Sequence, residues 1–290
     1  MSLQIKREIV TYKQRVLLAL IDTLSQQDRS SKFQIEKNLF LLKKEEDLDN
    51  DVKFYNFYPY NYGPFSNVSY FDLNVLISKG YIFEEKKQFR ITEKAIKYLE
   101  SLNPLLHDKI RKTTTRFTSD KEIKEYVYEK YPEYTVKSKT LRIQPTINDS
   151  ALYSIGYEGK DIDLFLDILI RNNISFLIDI RHNPFSMNFS FTKSKLEKSL
   201  KNVGIEYRHI PELGISGDKR KDLTTTQDYA AIFEEYNNSL PKKQSFVDTI
   251  IALGKEKRVA FMCFEHNKNN CHRGVLSHYL LHQNILVEHL

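Results

Sequence analysis

The chain has 290 residues, 41% hydrophobic and 28% charged, with two cysteines, 18 tyrosines and 18 phenylalanines. That balance describes a folded protein, long enough for two domains with separate cores, and it excludes a disulfide-stapled scaffold. No apolar run approaches the roughly 18 residues of a membrane span, and the opening MSLQIKREIV lacks a secretory signal's apolar run, so a cytosolic protein with no membrane partner is expected.

The formal charge of +6 is unevenly placed. Residues 1–150 carry 26 Lys and Arg against 21 Asp and Glu, whereas residues 151–290 carry 18 against 17. Between Lys109 and Arg142, ten basic residues face five acidic ones. Attraction to a polyanion such as nucleic acid would be felt there, through Lys109, Arg111, Lys112 and Arg116. A solvated helical face is the competing reading.

From Ile9 to Leu24 apolar residues recur at helical spacing, and a second helix runs from about Ser31 to Lys44. FYNFYPYNYGPFS then reads as an extended segment and a turn, its rings either core or stacking surfaces. Ser66 caps a third helix that stops at Lys79-Gly80. YIFEE, KK and QFRIT form a hairpin, and Thr92 caps the helix EKAIKYLESL. Ser119 and Glu122 make a capping box for a further helix ended by Pro132.

This order resembles a winged helix-turn-helix, and KGYIFEEKKQFRITEKAIKYL is similar to the wing and following helix of such domains. The resemblance implies that the helix at residues 66–79 meets the major groove while the wing, with Lys86 and Lys87, strokes phosphates. That helix has one lysine and no arginine, leaving Asn67 and Asn74 as base readers. A winged helix that binds protein is the alternative. FYPYNYGPFS, DLNVLISKGYI and EIKEYVYEKYPEY also look like a domain of antitoxin-type and defence-associated bacterial proteins. The polar stretch TVKSKTLRIQPTINDS separates a first domain, 1–140, from a second, 150–290.

The second half repeats a short apolar strand, a polar tip and an amphipathic helix. The strands ALYSI, ISFLIDI, IEYRHI and KRVAFMCF, with ILVEH last, predict an α/β fold: a Rossmann-like, mostly parallel sheet with helices on both faces. Such sheets bind ligands beyond the carboxyl ends of their strands. The rule gathers Gly156, Tyr157 and Glu158; Asp179, Arg181 and His182; Glu212; and Cys263 and Glu265. A network in which Arg181 pairs with Glu212 or Glu265 and binds nothing is the alternative.

SIGYEG, LIDIRHNPFS, FTKSKLEKSLKNVGIEYRHIPELG and FMCFEHNKNNCHRGVLSHYL resemble, in order and spacing, successive blocks of the family called domain of unknown function 488. The resemblance covers about residues 151–290 and implies a Rossmann-like fold and a shared pocket, but no named reaction.

In CFEHNKNNCHRG, a structural zinc site would commonly take two close ligand pairs; only Cys263, Cys271 and His266 or His272 are at hand, so no metal is expected. Cys271, His272 and Arg273 open a helix whose free N–H groups attract an anion, which Arg273 could grip. A small phosphate-bearing or other anionic ligand is therefore the expected guest. Glu265 and Glu212 are candidate acids or bases, Asp179 a group orienting Arg181 or a water, and Cys271 a candidate nucleophile. No dinucleotide turn or phosphate loop is present, and no cofactor is expected. The expected activity is hydrolysis or group transfer on a nucleotide or base-phosphate fragment. The rivals are a ligand-sensing DNA-binding regulator and a defence-linked interaction protein; oligomeric state stays open.

Overall fold

The computed structural model describes residues 10–48, 53–139, 151–220 and 226–290, in two units, Met1–Gln144 and Pro145–Leu290. The helix start expected at Ile9, the end of the acidic loop EEDLDND, Arg142 and most of the polar join lie outside the described residues.

In the first unit, α1 (Tyr12–Ser25) is capped by Thr11, and its Val16 to Ile21 are all buried, which puts it at the centre of the core. The capping hydroxyl of Ser31 starts α2 (Lys32–Glu45). The tyrosine-rich segment then forms the antiparallel pair β1 (Tyr58–Tyr60) and β2 (Gly63–Phe65). Its Phe54, Tyr55, Phe57 and Tyr58 are core, and the Tyr55 hydroxyl donates to Asp72 at 2.9 Å, so burial of the ring leaves no orphan donor. Ser66 caps α3 (Asn67–Ser78), which leads to the hairpin β3 (Ile82–Glu85) and β4 (Gln88–Ile91).

Thr92 precedes α4 (Glu93–Glu100) without capping it; its hydroxyl donates back to the Gly80 carbonyl at 2.8 Å, closing the base of the hairpin. Next comes a helix that the sequence pattern does not separate from the basic stretch, α5 (Pro104–Thr115), begun by the Asn103 side chain and by proline at its first turn. The helix α6 (Asp120–Lys130) is capped by Ser119, but Glu122 accepts from the Thr118 backbone and hydroxyl instead of closing the box on Ser119.

The second unit runs β5 (Ala151–Gly156), α7 (Ile162–Arg171), β6 (Phe176–Asp179), α8 (Lys193–Asn202), β7 (Glu206–His209), α9 (Thr226–Ser239), α10 (Gln244–Glu256), β8 (Arg258–Cys263), α11 (His272–Leu281) and β9 (Val287–His289). The five strands are all parallel, in the order β7-β6-β8-β5-β9. Leu152, Ile178, Val259, Phe261 and Val287 pack with residues of α9, α10 and α11 in one core. The alternate positions Tyr153, Ile155, Leu177, Ala260 and Met262 are equally buried and therefore face the other side.

From β5 the chain steps through β6 to β7, and from β7 it returns past β6 to β8 and then to β9. Right-handed crossovers put the connections of opposite direction on opposite faces. The connection after β8 therefore leaves toward the face opposite to those after β5 and β6, which makes the carboxyl end of β8 the topological switch point, although the loops after β5 and β8 stay hydrogen-bonded to each other there.

Candidate functional site

At that switch point β8 ends in Cys263, which is buried, as are Cys271 and His272. Cys271 is the N-cap of α11, and its sulfur accepts from the Arg273 backbone N–H at 3.5 Å. The Cys263 thiol lies 3.0 Å from Oε2 of Glu265 and 3.5 Å from Nδ1 of His272, and the Cys271 sulfur lies 3.9 Å from the same nitrogen. Nε2 of His272 is 3.2 Å from the Ile180 carbonyl. Since a carbonyl can only accept, that contact assigns the ring proton to Nε2 and leaves Nδ1 as a lone pair directed at the thiols. One ligand atom from each of Cys263, Glu265, Cys271 and His272 lies within 4.8 Å of the other three. Burial, and next the neighbouring Cys271, push the Cys263 thiol well above its ordinary pKa, with His272 acting against them.

A second group stands at the end of β6. Nε and Nη2 of Arg181 donate to the two carboxylate oxygens of Asp179 at 2.8 and 2.6 Å, Nη1 donates to the Tyr157 hydroxyl at 3.0 Å, and Nη2 also donates to the Phe191 carbonyl. The Tyr207 hydroxyl completes the group by donating to Asp179 at 2.8 Å. Burial alone would lower the Arg181 pKa; Asp179 overcomes it and the net shift is upward. Arg181 pairs with Asp179, where the non-binding reading expects Glu212 or Glu265.

Arg273 is 1% exposed. Its two terminal nitrogens donate to the carbonyls of Glu265 and His266, tying the loop after β8 to α11. Its Nε, by contrast, is buried with no hydrogen-bond partner among the described residues. Glu158 holds the same loop from the β5 side by accepting from the His266 N–H at 2.8 Å. Between them sits Gly156, where a β-carbon would overlap the Glu265 carbonyl and Nη1 of Arg273.

His182 and Glu212 occupy a third neighbourhood, a cavity of about 310 Å³ that is also lined by Glu235, Tyr236, Ser216 and Lys243. Its wall Gly214 is glycine because a β-carbon would collide with the His182 backbone. Tyr236 connects this cavity to the thiols, since its ring meets His272 edge-on at 5.5 Å. Glu235, Tyr236 and Lys243 are missed by the sequence reading, for they lie on α9 and the turn after it, away from any strand tip. Cys271 borders a separate cavity of about 540 Å³ with Asn269, His278 and His289. Among the described residues, Glu158 meets the loop that carries Glu265, Arg181 pairs with Asp179, and Glu212 lines the cavity beside His182.

In the first unit, Lys109 donates to the Glu46 carbonyl, Lys112 pairs with the Glu46 carboxylate at 2.8 Å, Arg111 with Asp108 at 2.6 Å, and Arg116 with Glu45. The basic stretch is therefore partly neutralised within its own surface. Asn67 donates to the Tyr58 hydroxyl and Asn74 to the Tyr70 carbonyl one turn back. Lys86 and Lys87 form the exposed tip of the β3–β4 hairpin, both with positive φ.

Residues 161–280 match the family described as Domain of unknown function DUF488. The matched segment contains the Asp179–Arg181 pair, the cavity around Glu212 and the whole thiol cluster. No curated protein and no solved structure matches the chain significantly. Among the described residues, no helix is long and apolar enough to cross a membrane.

Proposed function

We propose that the C-terminal unit binds a small phosphate-bearing ligand beside β6 and β7 and acts on it by carboxylate-assisted hydrolysis or transfer. The cavity carrying His182, Glu212, Glu235 and Lys243 supports this reading. Its volume lies within the range of small-molecule sites, Lys243 offers positive charge to an anion, and the two carboxylates supply a base for water or a leaving-group acid. Nδ1 of His182 stands 3.4 Å from the Pro211 carbonyl; a proton held there makes Nε2 the basic nitrogen.

A second reading, ligand sensing without turnover, is favoured by one observation. Arg181 and the terminal nitrogens of Arg273 bond internal partners, so neither fork is set to stabilise charge developing on a substrate.

The first unit, on this proposal, is a winged helix that selects nucleic acid through α3 and the Lys86-Lys87 tip. The exposed rings of Tyr70, Phe71 and Phe83 on these elements offer stacking faces.

The experiment incubates the full chain with mixed nucleotides, RNA and DNA and follows the products by mass spectrometry, with Glu212→Gln and His182→Ala alongside. A product that either variant abolishes supports turnover. Thermal stabilisation by a nucleotide with no product selects sensing, and neither effect overturns both. For the first unit, DNA affinity that falls steeply with salt supports nucleic-acid binding, whereas salt-independent or absent binding rejects it.

A further inference from the structure

We propose that Cys263, Cys271, His272 and Glu265 form a zinc site at the carboxyl end of β8. The donor set is two thiols, one imidazole and one carboxylate, a mixture suited to tetrahedral zinc. Zinc–sulfur bonds of about 2.3 Å and zinc–nitrogen or zinc–oxygen bonds of about 2.0–2.2 Å, set at the tetrahedral angle, hold neighbouring donors about 3.6 Å apart. The observed separations of 3.5 Å and 3.9 Å from His272 to the two sulfurs, and 3.0 Å from Cys263 to Glu265, bracket that value. No two of the four ligand atoms are farther apart than 4.8 Å, so modest side-chain adjustments would set the group around an ion.

Two further observations belong to a ligand site rather than to core packing. The Ile180 carbonyl fixes His272 in the tautomer that turns its lone pair toward both sulfurs, the arrangement by which an outer group orients a metal-bound imidazole. Arg273, Glu158 and Gly156 hold the loop bearing Glu265 against β5, so the fourth donor is positioned by contacts outside the cluster. The ligands also span separate parts of the chain: β8 supplies Cys263, the loop Glu265, and the start of α11 the other two. Zinc binding would release the two thiol protons and join the end of β8 to the start of α11.

Burial divides the ligand roles. Cys263, Cys271 and His272 are 1–2% exposed, whereas Glu265 is partly exposed. The three buried groups form the permanent anchor, and the carboxylate is the ligand that water or an anion can displace. This site does not depend on the proposed chemistry at Glu212, which lies in another cavity.

The test uses the full chain purified without chelator. Elemental analysis should find close to one zinc per chain, and replacement by cobalt(II) should give a thiolate charge-transfer band with the intense visible bands of a tetrahedral ion. Chelation should expose two thiols that zinc protects from alkylation. Glu265→Gln should keep the charge-transfer band, shift the visible bands and weaken zinc binding about 10–100-fold; Cys271→Ser should lose stoichiometric zinc. If Cys271→Ser fails to fold, the wild-type cobalt spectrum and thiol protection still decide. Less than a tenth of an equivalent of zinc with no cobalt–thiolate band, or a Cys263–Cys271 disulfide in freshly purified protein, overturns the site.

Discussion

Gly156 ends β5 directly beneath the carbonyl oxygen of Glu265, so close that no side chain fits between them. Gly156→Ala must push the loop after β8 away from the sheet, breaking the Arg273 and Glu158 contacts that hold it. A loss of about 3 kcal/mol in the C-terminal unit is expected, the upper end of what overpacking costs. Urea unfolding measures it; an unchanged midpoint would show that the loop has room to move.

The Asp179–Arg181 pair predicts a mutation cycle. Asp179→Asn strands a buried guanidinium, and Arg181→Met strands a buried carboxylate, so each should cost about 3–5 kcal/mol. The double variant should recover a large part of the loss, because neither charge is then left alone. Additive losses in the cycle would show that the two residues stabilise the fold independently.

The repeat of strand, tip and helix in residues 151–290 is legible because parallel strands buried on both faces leave continuous apolar runs such as FLIDI and VAFMC. Strand order is not, since nothing local says that β8 inserts between β5 and β6. The site was legible by residue type but not by role. Glu265 reads as an acid or base, and only the fold shows that it lies against Cys263; Arg273 reads as an anion grip, and only the fold shows that its terminal nitrogens meet two backbone carbonyls. In the first unit the stretch PLLHDKIRKTTT lacks a broad apolar stripe, and only its cap and its proline mark it as a helix.

At the hairpin tip, Lys86 and Lys87 both adopt left-handed backbone, with φ of 49° and 65°. A two-residue turn of that kind is the preferred place for Asn-Gly. Lys86→Asn with Lys87→Gly should therefore stabilise the first unit by about 1 kcal/mol, an effect on the backbone alone. Thermal unfolding checks it, and destabilisation would show that these lysines make contacts worth more than the relieved strain.

Glu45 sets an acid limit on the first unit. Burial alone would raise its carboxyl, but hydrogen bonds from Arg116, Lys130, Tyr131 and Tyr126 hold it at about 2, below its ordinary 4.5. A depressed carboxylate contributes stability that is complete above pH 4.5 and is lost as pH falls toward 2. Solvent screening of this partly exposed network limits the contribution to about 1 kcal/mol. Glu45→Gln should lower stability at pH 7 and flatten its decline below pH 4.5; parallel curves for the two proteins would remove Glu45 as the cause.

His289, at the end of β9, acts on the second unit at milder pH. Burial, followed by the nearby Lys268 and Arg273 charges, lowers its pKa from 6.5 to about 4, and its Nδ1 lies 2.6 Å from the Ser154 hydroxyl. The unfolded chain thus takes up this proton before the folded one does. The contribution is complete above pH 6.5 and fades as pH falls through 6.5 to 4, so the second unit should begin to weaken at a pH where the Glu45 network is still intact. His289→Gln keeps a polar partner for Ser154 without the titration and should reduce the slope of melting temperature between pH 6.5 and 4. The same slope in variant and parent would place the titrating group elsewhere in the unit.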